Sequence, residues 1–302
     1  MIGHEHSKRD LAQTTANAVL LEGVARVGRK SLALWYAAWL NCKQPTELEP
    51  CGVCPSCQNI ATQTHPDVLL VSPREETSTG KRARNSLIPI GMISRAHDTG
   101  RDFEQHVLEF IELAPHYRHK VVIFDGAQFL NESAANALLK SVEEPPHRAR
   151  FVFIAEDASG VIPTIVSRSQ RYRVAPVPDA LLQTLLPSPD PELLAFAAGR
   201  VGLIQNLEPT KNALLAAQTF LQQIQLGLLE ALSAADVLEK AYDRSLTPDA
   251  LRFALRRLDA AVRIQADAAL ETAVQALERY ATPSLVFSSL ALEWRAAMGL
   301  GL

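Results

Sequence analysis

The sequence predicts an α/β protein whose C-terminal part is all-α. Three observations predict it. Short uninterrupted apolar runs alternate with helical stretches over the first 175 or so residues. A phosphate-loop-like pair of glycines directly follows the first of those runs, and from Lys211 onward Leu and Ala recur at amphipathic helical spacing. Continuous apolar strands mark a parallel sheet covered by helices on both faces. The 302 residues, 47% hydrophobic and 21% charged, suffice for more than one buried core.

In chain order, Ala18–Leu21 reads as a buried strand entering Gly23, and Ser31–Leu40 as a helix apolar nearly all round, hence central. Asp67–Pro73 (DVLLVSP) reads as a second strand. Arg74–Ser86 (REETSTGKRARNS) reads as a polar loop in which Lys81–Arg84 is solvated rather than bound to a phosphate backbone. Ile90–Leu113 reads as one helix. Lys120–Asp125 (KVVIFD) is a buried strand, followed by a helix over Ser133–Glu143 that starts on its Ser and stops at Pro145-Pro146. Arg150–Ala155 and Gln170–Val174 complete the strands. The proline-punctuated stretch Val174–Leu194 then changes the composition. Boundaries are placed near 176 and 208, giving a core (1–175), a small helical segment (176–208) and a helical C-terminal domain (209–302), with breaks at Pro248 and Pro283.

Inside EGVARVGRKSLALWYAAWL (Glu22–Leu40), Gly23 and Gly28 have the spacing of a G-x-x-x-x-G-K-[ST] loop, but Arg29 and Lys30 stand where Lys and Ser/Thr are required. Such a loop surrounds phosphates with backbone N–H groups, sends a Lys to the β/γ oxygens and holds Mg²⁺ on a hydroxyl. Sliding the motif by one residue to Lys30-Ser31 rotates both side chains by about 100° on the helix. Lys30 itself puts a cation where Mg²⁺ belongs.

All four cysteines fall in one window, CKQPTELEPCGVCPSC, as Cys42, Cys51, Cys54 and Cys57. Two overlapping C-x-x-C steps, with turns at Pro50, Gly52 and Pro55, let the thiolates converge on one tetrahedral ion, which predicts a closed structural zinc site in a 42–57 module. A disulfide pair suits an oxidising compartment, and a redox C-x-x-C leaves two neighbours unexplained. His65, in the THPD that follows, reads as a turn residue rather than a fifth ligand.

A net charge of −3 supplies no global attraction to nucleic acid, so a DNA contact must be local or shared with partners. No apolar run approaches the roughly 18–20 residues that span a bilayer, and MIGHEHSKRD lacks a signal-peptide core; the expected location is cytoplasmic, with no membrane partner.

The segment KVVIFDGAQFLNESAANALLKSVEEPP (Lys120–Pro146) places Asp125 at a Walker B position. With the altered phosphate loop, the cysteine knuckle with its HPD, and PTIVSRSQ (Pro163–Gln170), it resembles the AAA+ clamp-loader subunits of bacterial DNA polymerase III over roughly the first 200 residues, and the delta-prime branch more than the gamma/tau ATPases. The resemblance implies an AAA+ core with a zinc insertion, a helical lid and a C-terminal collar. It implies gamma/tau and delta subunits as partners in a hetero-oligomeric ring, acting on a sliding clamp and primed DNA. It also sharpens the departures. Arg26 replaces a small loop residue, and Gly126 stands where active members carry the acid that positions water. Gly202 aligns with the sensor-2 arginine, with Arg200 two residues before it, and Glu156 occupies the sensor-1 position. No ATP is therefore expected to be bound or hydrolysed. Ser167-Arg168 is similar to the family's Ser-Arg-Cys motif, with Ser169 for Cys, which implies that Arg168 is an arginine finger offered in trans to a neighbour's ATP site and that Thr164 caps its helix. The competing readings are a working gamma/tau-like ATPase and a zinc-dependent DNA-binding protein unrelated to clamp loading. The lack of interleaved aromatic and basic residues argues against the last.

Overall fold

β-branched and aromatic runs bounded by turns become the strands. The computed structural model describes residues 3–76, 82–98, 100, 102–186, 188, 190–279 and 281–301. After α1 (Glu5–Gln13), the chain forms β1 (Ala18–Glu22), α2 (Arg29–Asn41), α3 (Pro55–Ala61), β2 (Val68–Val71), β3 (Arg74–Glu76) and β4 (Arg82–Leu87). There follow α4 (Ile90–Ile93), α5 (Val107–Glu112), β5 (Val121–Asp125), α6 (Glu132–Glu143), β6 (Arg150–Ala155), α7 (Pro163–Val166), β7 (Gln170–Arg173) and α8 (Asp179–Gln183). The rest is helical: α9 (Pro191–Ala197), α10 (Val201–Gln205), α11 (Leu207–Leu226), α12 (Leu228–Lys240), α13 (Thr247–Ala254), α14 (Ala260–Glu278) and α15 (Pro283–Ala297).

The chain divides into two compact units, Met1–Thr184 with Gly199–Gly202, and Leu185–Ala198 with Leu203–Leu302. The first is built on a five-stranded sheet in the order β2-β5-β6-β1-β7, every pair parallel. Alternation across the strands feeds two cores. Leu20, Phe124 and Phe153 face α6, with the two Phe rings stacked 4.9 Å apart, while Val19, Leu21, Ile123 and Ile154 face Leu32 and Tyr36 of α2. Register sets Glu22 beside Ala155 and Asp125 beside Ile154. The ends of β1, β5 and β6 thus meet at the carboxyl edge of the sheet, where open α/β folds bind ligands.

The second unit packs α11 to α15 with α9. Phe220 of α11 lies 5.4 Å from the buried Trp294 of α15, whose Nε1 donates to Ala266 O at 2.9 Å. Buried Arg295 is satisfied by carbonyls, its Nη1 donating to Ile224 O and Nη2 to Gly301 O, each at 2.6 Å. Pro248 and Pro283 open α13 and α15, as expected at first-turn positions.

Four local expectations are corrected. Arg74–Ser86 is not a loop: its flanks pair as an antiparallel ribbon, Arg74 opposite Leu87 and Glu76 opposite Arg82. Residues 77–81, including Lys81 of the basic run, lie outside the described residues. Its residues are polar, so the ribbon leaves no apolar alternation to read. Ile90–Leu113 is not one helix. After a short 3₁₀ turn at Arg95–His97, the Asp98 carboxylate accepts from the N–H groups of Asp102 and Phe103 at 2.9 and 3.1 Å and holds the backbone out of the helix. Asn131, not Ser133, caps α6, its Oδ1 accepting from Ala134 N at 2.8 Å. Thr164 caps nothing: α7 begins after Ile162, the Thr164 hydroxyl is buried without a partner, and Arg168 lies in the turn beyond α7.

Candidate functional site

The loop between β1 and α2 keeps the backbone of a phosphate loop. Gly23 has φ 157°, and a Cβ there would meet Val174 O at 2.6 Å. Gly28, φ 114°, precedes α2, and Arg26 adopts a left-handed φ of 63°. Two of the loop's carbonyls accept from the chain itself. Gly202 N–H donates to Arg26 O at 2.9 Å, and His4 Nε2 donates to Val27 O at 3.0 Å. Burial lowers the His4 pKa against the raising effect of that carbonyl.

The side chains of the loop pair within the chain. Lys30, at the hydroxyl position, sets its Nζ 3.1 Å from Asp125 Oδ2. Arg29, at the Lys position, is half-buried. Burial pulls its pKa down, and the nearby Glu156 and Asp125 carboxylates act in the opposite direction. Arg29, Ser72, Asp125, Gly126 and Gln128 are among the residues lining a cavity of about 430 Å³. Gly126 has φ 106°, and a Cβ would lie 2.8 Å from the Phe129 ring. A carboxylate side chain there needs both a strained backbone and a displaced Phe129. Glu22, at the end of β1, is held by Arg171 through Nε at 2.9 Å and Nη2 at 3.0 Å and also accepts from Ala158 N. Nothing in the sequence signalled that pair.

The four cysteines meet as their spacing predicts. All are free thiols, with Sγ atoms within 4.8 Å of one another. Cys54–Cys57 and Cys51–Cys57 are 3.5 and 4.0 Å apart, bracketing the ~3.8 Å edge of a tetrahedron built on metal–sulfur bonds near 2.3 Å. Burial opposes ionisation of Cys54, yet the N–H groups of Lys43 and Cys57 together with hydrogen bonds to the Cys57 and Cys51 thiols outweigh it and bring that thiol down to about 6. The Val53 and Cys54 N–H groups lower Cys51, whereas burial pushes Cys57 up. The cluster can hold one metal ion.

His65 lies outside this set. Its Nδ1 accepts from Asp67 N–H at 3.1 Å, which leaves the proton on Nε2, 2.9 Å from the buried Ser56 hydroxyl. Asp67 is fully buried. Its oxygens accept from His116 N at 2.9 Å and Tyr117 N at 2.6 Å, and Lys120 Nζ is 3.0 Å away. Burial works against the charged form, but these donors hold the Asp67 pKa below its ordinary value. Buried Lys8 pairs with Glu49, tying α1 to the same module.

Arg168 stands about one-third exposed at the surface of the first unit, with its Nε 2.6 Å from Glu143 Oε1. Its Nη1 donates to Thr164 O at 3.2 Å and Ser167 Oγ at 3.3 Å.

Residues 5–178 match the family described as DNA polymerase III, delta subunit. The chain belongs to this family. It is 36% identical over 165 residues to the DNA polymerase III subunit delta' of Pseudomonas aeruginosa, covering 55% of this chain and 44% of that protein. It is 30% identical over 192 residues to the gamma/tau subunit of Mycobacterium bovis, covering 62% and 30%. The chain thus spans less than half the length of these relatives. A gamma subunit-related protein of DNA polymerase III from Thermotoga maritima has the same fold at TM-score 0.58 and 17% identity, over 97% of this chain and 98% of that one. Among the described residues no helix is long and apolar enough to cross a membrane.

Proposed function

We propose that the chain is a delta-prime-like, non-hydrolysing clamp-loader subunit of the DNA polymerase III holoenzyme. It works as a cytoplasmic stator beside gamma/tau and delta subunits in a hetero-oligomeric ring that places a sliding clamp on primed DNA. Residues 1–175 form the AAA+ core, 176–208 the lid and 209–302 the collar through which subunits assemble. The observation that carries this reading is the Lys30–Asp125 contact of 3.1 Å. The carboxylate that would hold Mg²⁺ is neutralised by the chain's own ammonium, and neither Gly126 nor Gly202 replaces the missing acid and arginine.

In this reading Arg168 acts in trans on a neighbour's triphosphate, where a guanidinium stabilises charge growing on the transferring phosphoryl group, worth ~10³–10⁵ in rate in arginine-finger systems. Zinc, bound by Cys42, Cys51, Cys54 and Cys57, fixes the 42–57 module and takes no part in chemistry; the all-thiol donor set leaves no open position. The test is Mg·ATP turnover by the purified chain, expected at background. Turnover abolished by Asp125→Ala would establish instead the second reading, a gamma/tau-like ATPase. Similarity to gamma/tau subunits and the retained Gly23, Gly28 and Asp125 favour that alternative.

A further inference from the structure

The proposed finger does not project freely from its turn; the chain holds two of its three nitrogen corners. Nε is bound by Glu143, and Nη1 by the Thr164 carbonyl and the Ser167 hydroxyl. Among the described residues Nη2 has no protein partner. Glu143 is the last residue of α6, and its own backbone carbonyl accepts from Asn17 Nδ2 at 3.3 Å. The carboxylate is therefore carried on an element fixed at both ends: β5 leads into α6, and Asn17 ties its far end to the start of β1.

An arginine side chain loses up to about 2 kcal/mol of rotamer freedom when it is fixed. A finger already fixed in the free subunit need not lose that freedom as it engages the charge that develops in the transition state. We propose that Glu143 is a positioning residue for Arg168, pre-ordering the guanidinium so that Nη2 is presented to the adjoining subunit's triphosphate. This rests on the finger reading above and adds to it a residue that never touches nucleotide. It also accounts for a salt bridge that, half-exposed, has little to contribute to folding.

The test uses the reconstituted clamp-loader complex, with steady-state ATPase measured for Glu143→Ala, Glu143→Gln, Arg168→Ala and the Ala–Ala double variant. Glu143→Ala is expected to lower maximal turnover roughly five-fold, the scale of one partly exposed ion pair. The KM for ATP and assembly on gel filtration should stay unchanged, since the pre-ordering acts on the transition state. Glu143→Gln, which keeps an acceptor for Nε–H, should recover part of the rate. The double variant should be no slower than Arg168→Ala alone, because the two residues act as one unit. Should Glu143→Ala fail to assemble, Glu143→Asp, one methylene short of Arg168, should give the same kcat-only loss. If Arg168→Ala collapses turnover while Glu143→Ala leaves it unchanged or raises it, the positioning role is overturned and the finger reading survives. If Arg168→Ala itself has no effect, both fall.

Discussion

Two constellations on the first unit present opposite cases. In the loop after β1 the glycine backbone persists while Arg29 and Lys30 stand where the motif has Lys and a hydroxyl. Gly23 and Gly28 keep their spacing and positive φ, while Lys30 sets its ammonium 3.1 Å from the Asp125 carboxylate. In the cysteine module every donor is present and the four Sγ atoms lie within 4.8 Å of one another. The difference lies in what each residue answers to. Gly23 is held by its 2.6 Å approach to Val174 O and Gly126 by Phe129, so packing retains them whether or not a nucleotide binds. The cysteines lie together where one shared ion can reach all four.

Removing the metal gives the sharpest contrast. The chain is expected to carry one equivalent of zinc, and a strong chelator should release it and expose four reactive thiols. Cys54→Ser should weaken binding by at least 10²-fold in a competitive chelation assay. Structural Zn²⁺ sites are worth ~10–16 kcal/mol in small domains, and here the loss should stay local because α2 and the sheet have their own core. Four thiols that titrate without metal would dissolve the comparison.

Next in size is the buried mount beneath that module. Asp67→Asn leaves Lys120 an unpaired buried charge and should cost about 3–5 kcal/mol by denaturant unfolding. The folded pKa of Asp67 is depressed, so its stabilisation is complete above the ordinary carboxylate value near 4 and disappears as pH falls through the lowered folded value. The gap between the native chain and Asp67→Asn should accordingly close below about pH 4. A gap constant from pH 7 to 3 would contradict the assignment.

The smallest effect concerns the replaced site. Gly126→Glu restores the missing acid on paper, yet it forces a side chain into a left-handed backbone against Phe129. It should destabilise by about 1–3 kcal/mol and yield no ATP turnover by the isolated chain, because Lys30 still sits on Asp125. Turnover gained by this variant would mean that the site is one residue from working.

Much of this was legible in the sequence because the strands are continuous apolar runs and the four cysteines stand alone in one window. The Arg29-Lys30 offset from the phosphate-loop pattern was legible as well. That Lys30 reaches Asp125, or that Arg168 meets Glu143 twenty-five residues away, is a tertiary pairing with no periodic trace. The same applies to His4 on the loop carbonyl of Val27. The missed elements were polar: a two-stranded ribbon, and a helix interrupted because Asp98 supplies backbone N–H groups with a competing acceptor. Hydrophobic spacing carries no record of either.

The central claim is that this subunit lends a guanidinium and burns no triphosphate of its own. Its most direct test is the ATPase rate of the reconstituted complex with Arg168→Ala set beside Asp125→Ala. The account predicts a loss of ~10³-fold or more at the site next to Arg168 and no change with Asp125→Ala. The reverse pattern, with the Asp125 variant slow and the Arg168 variant unaffected, would contradict it.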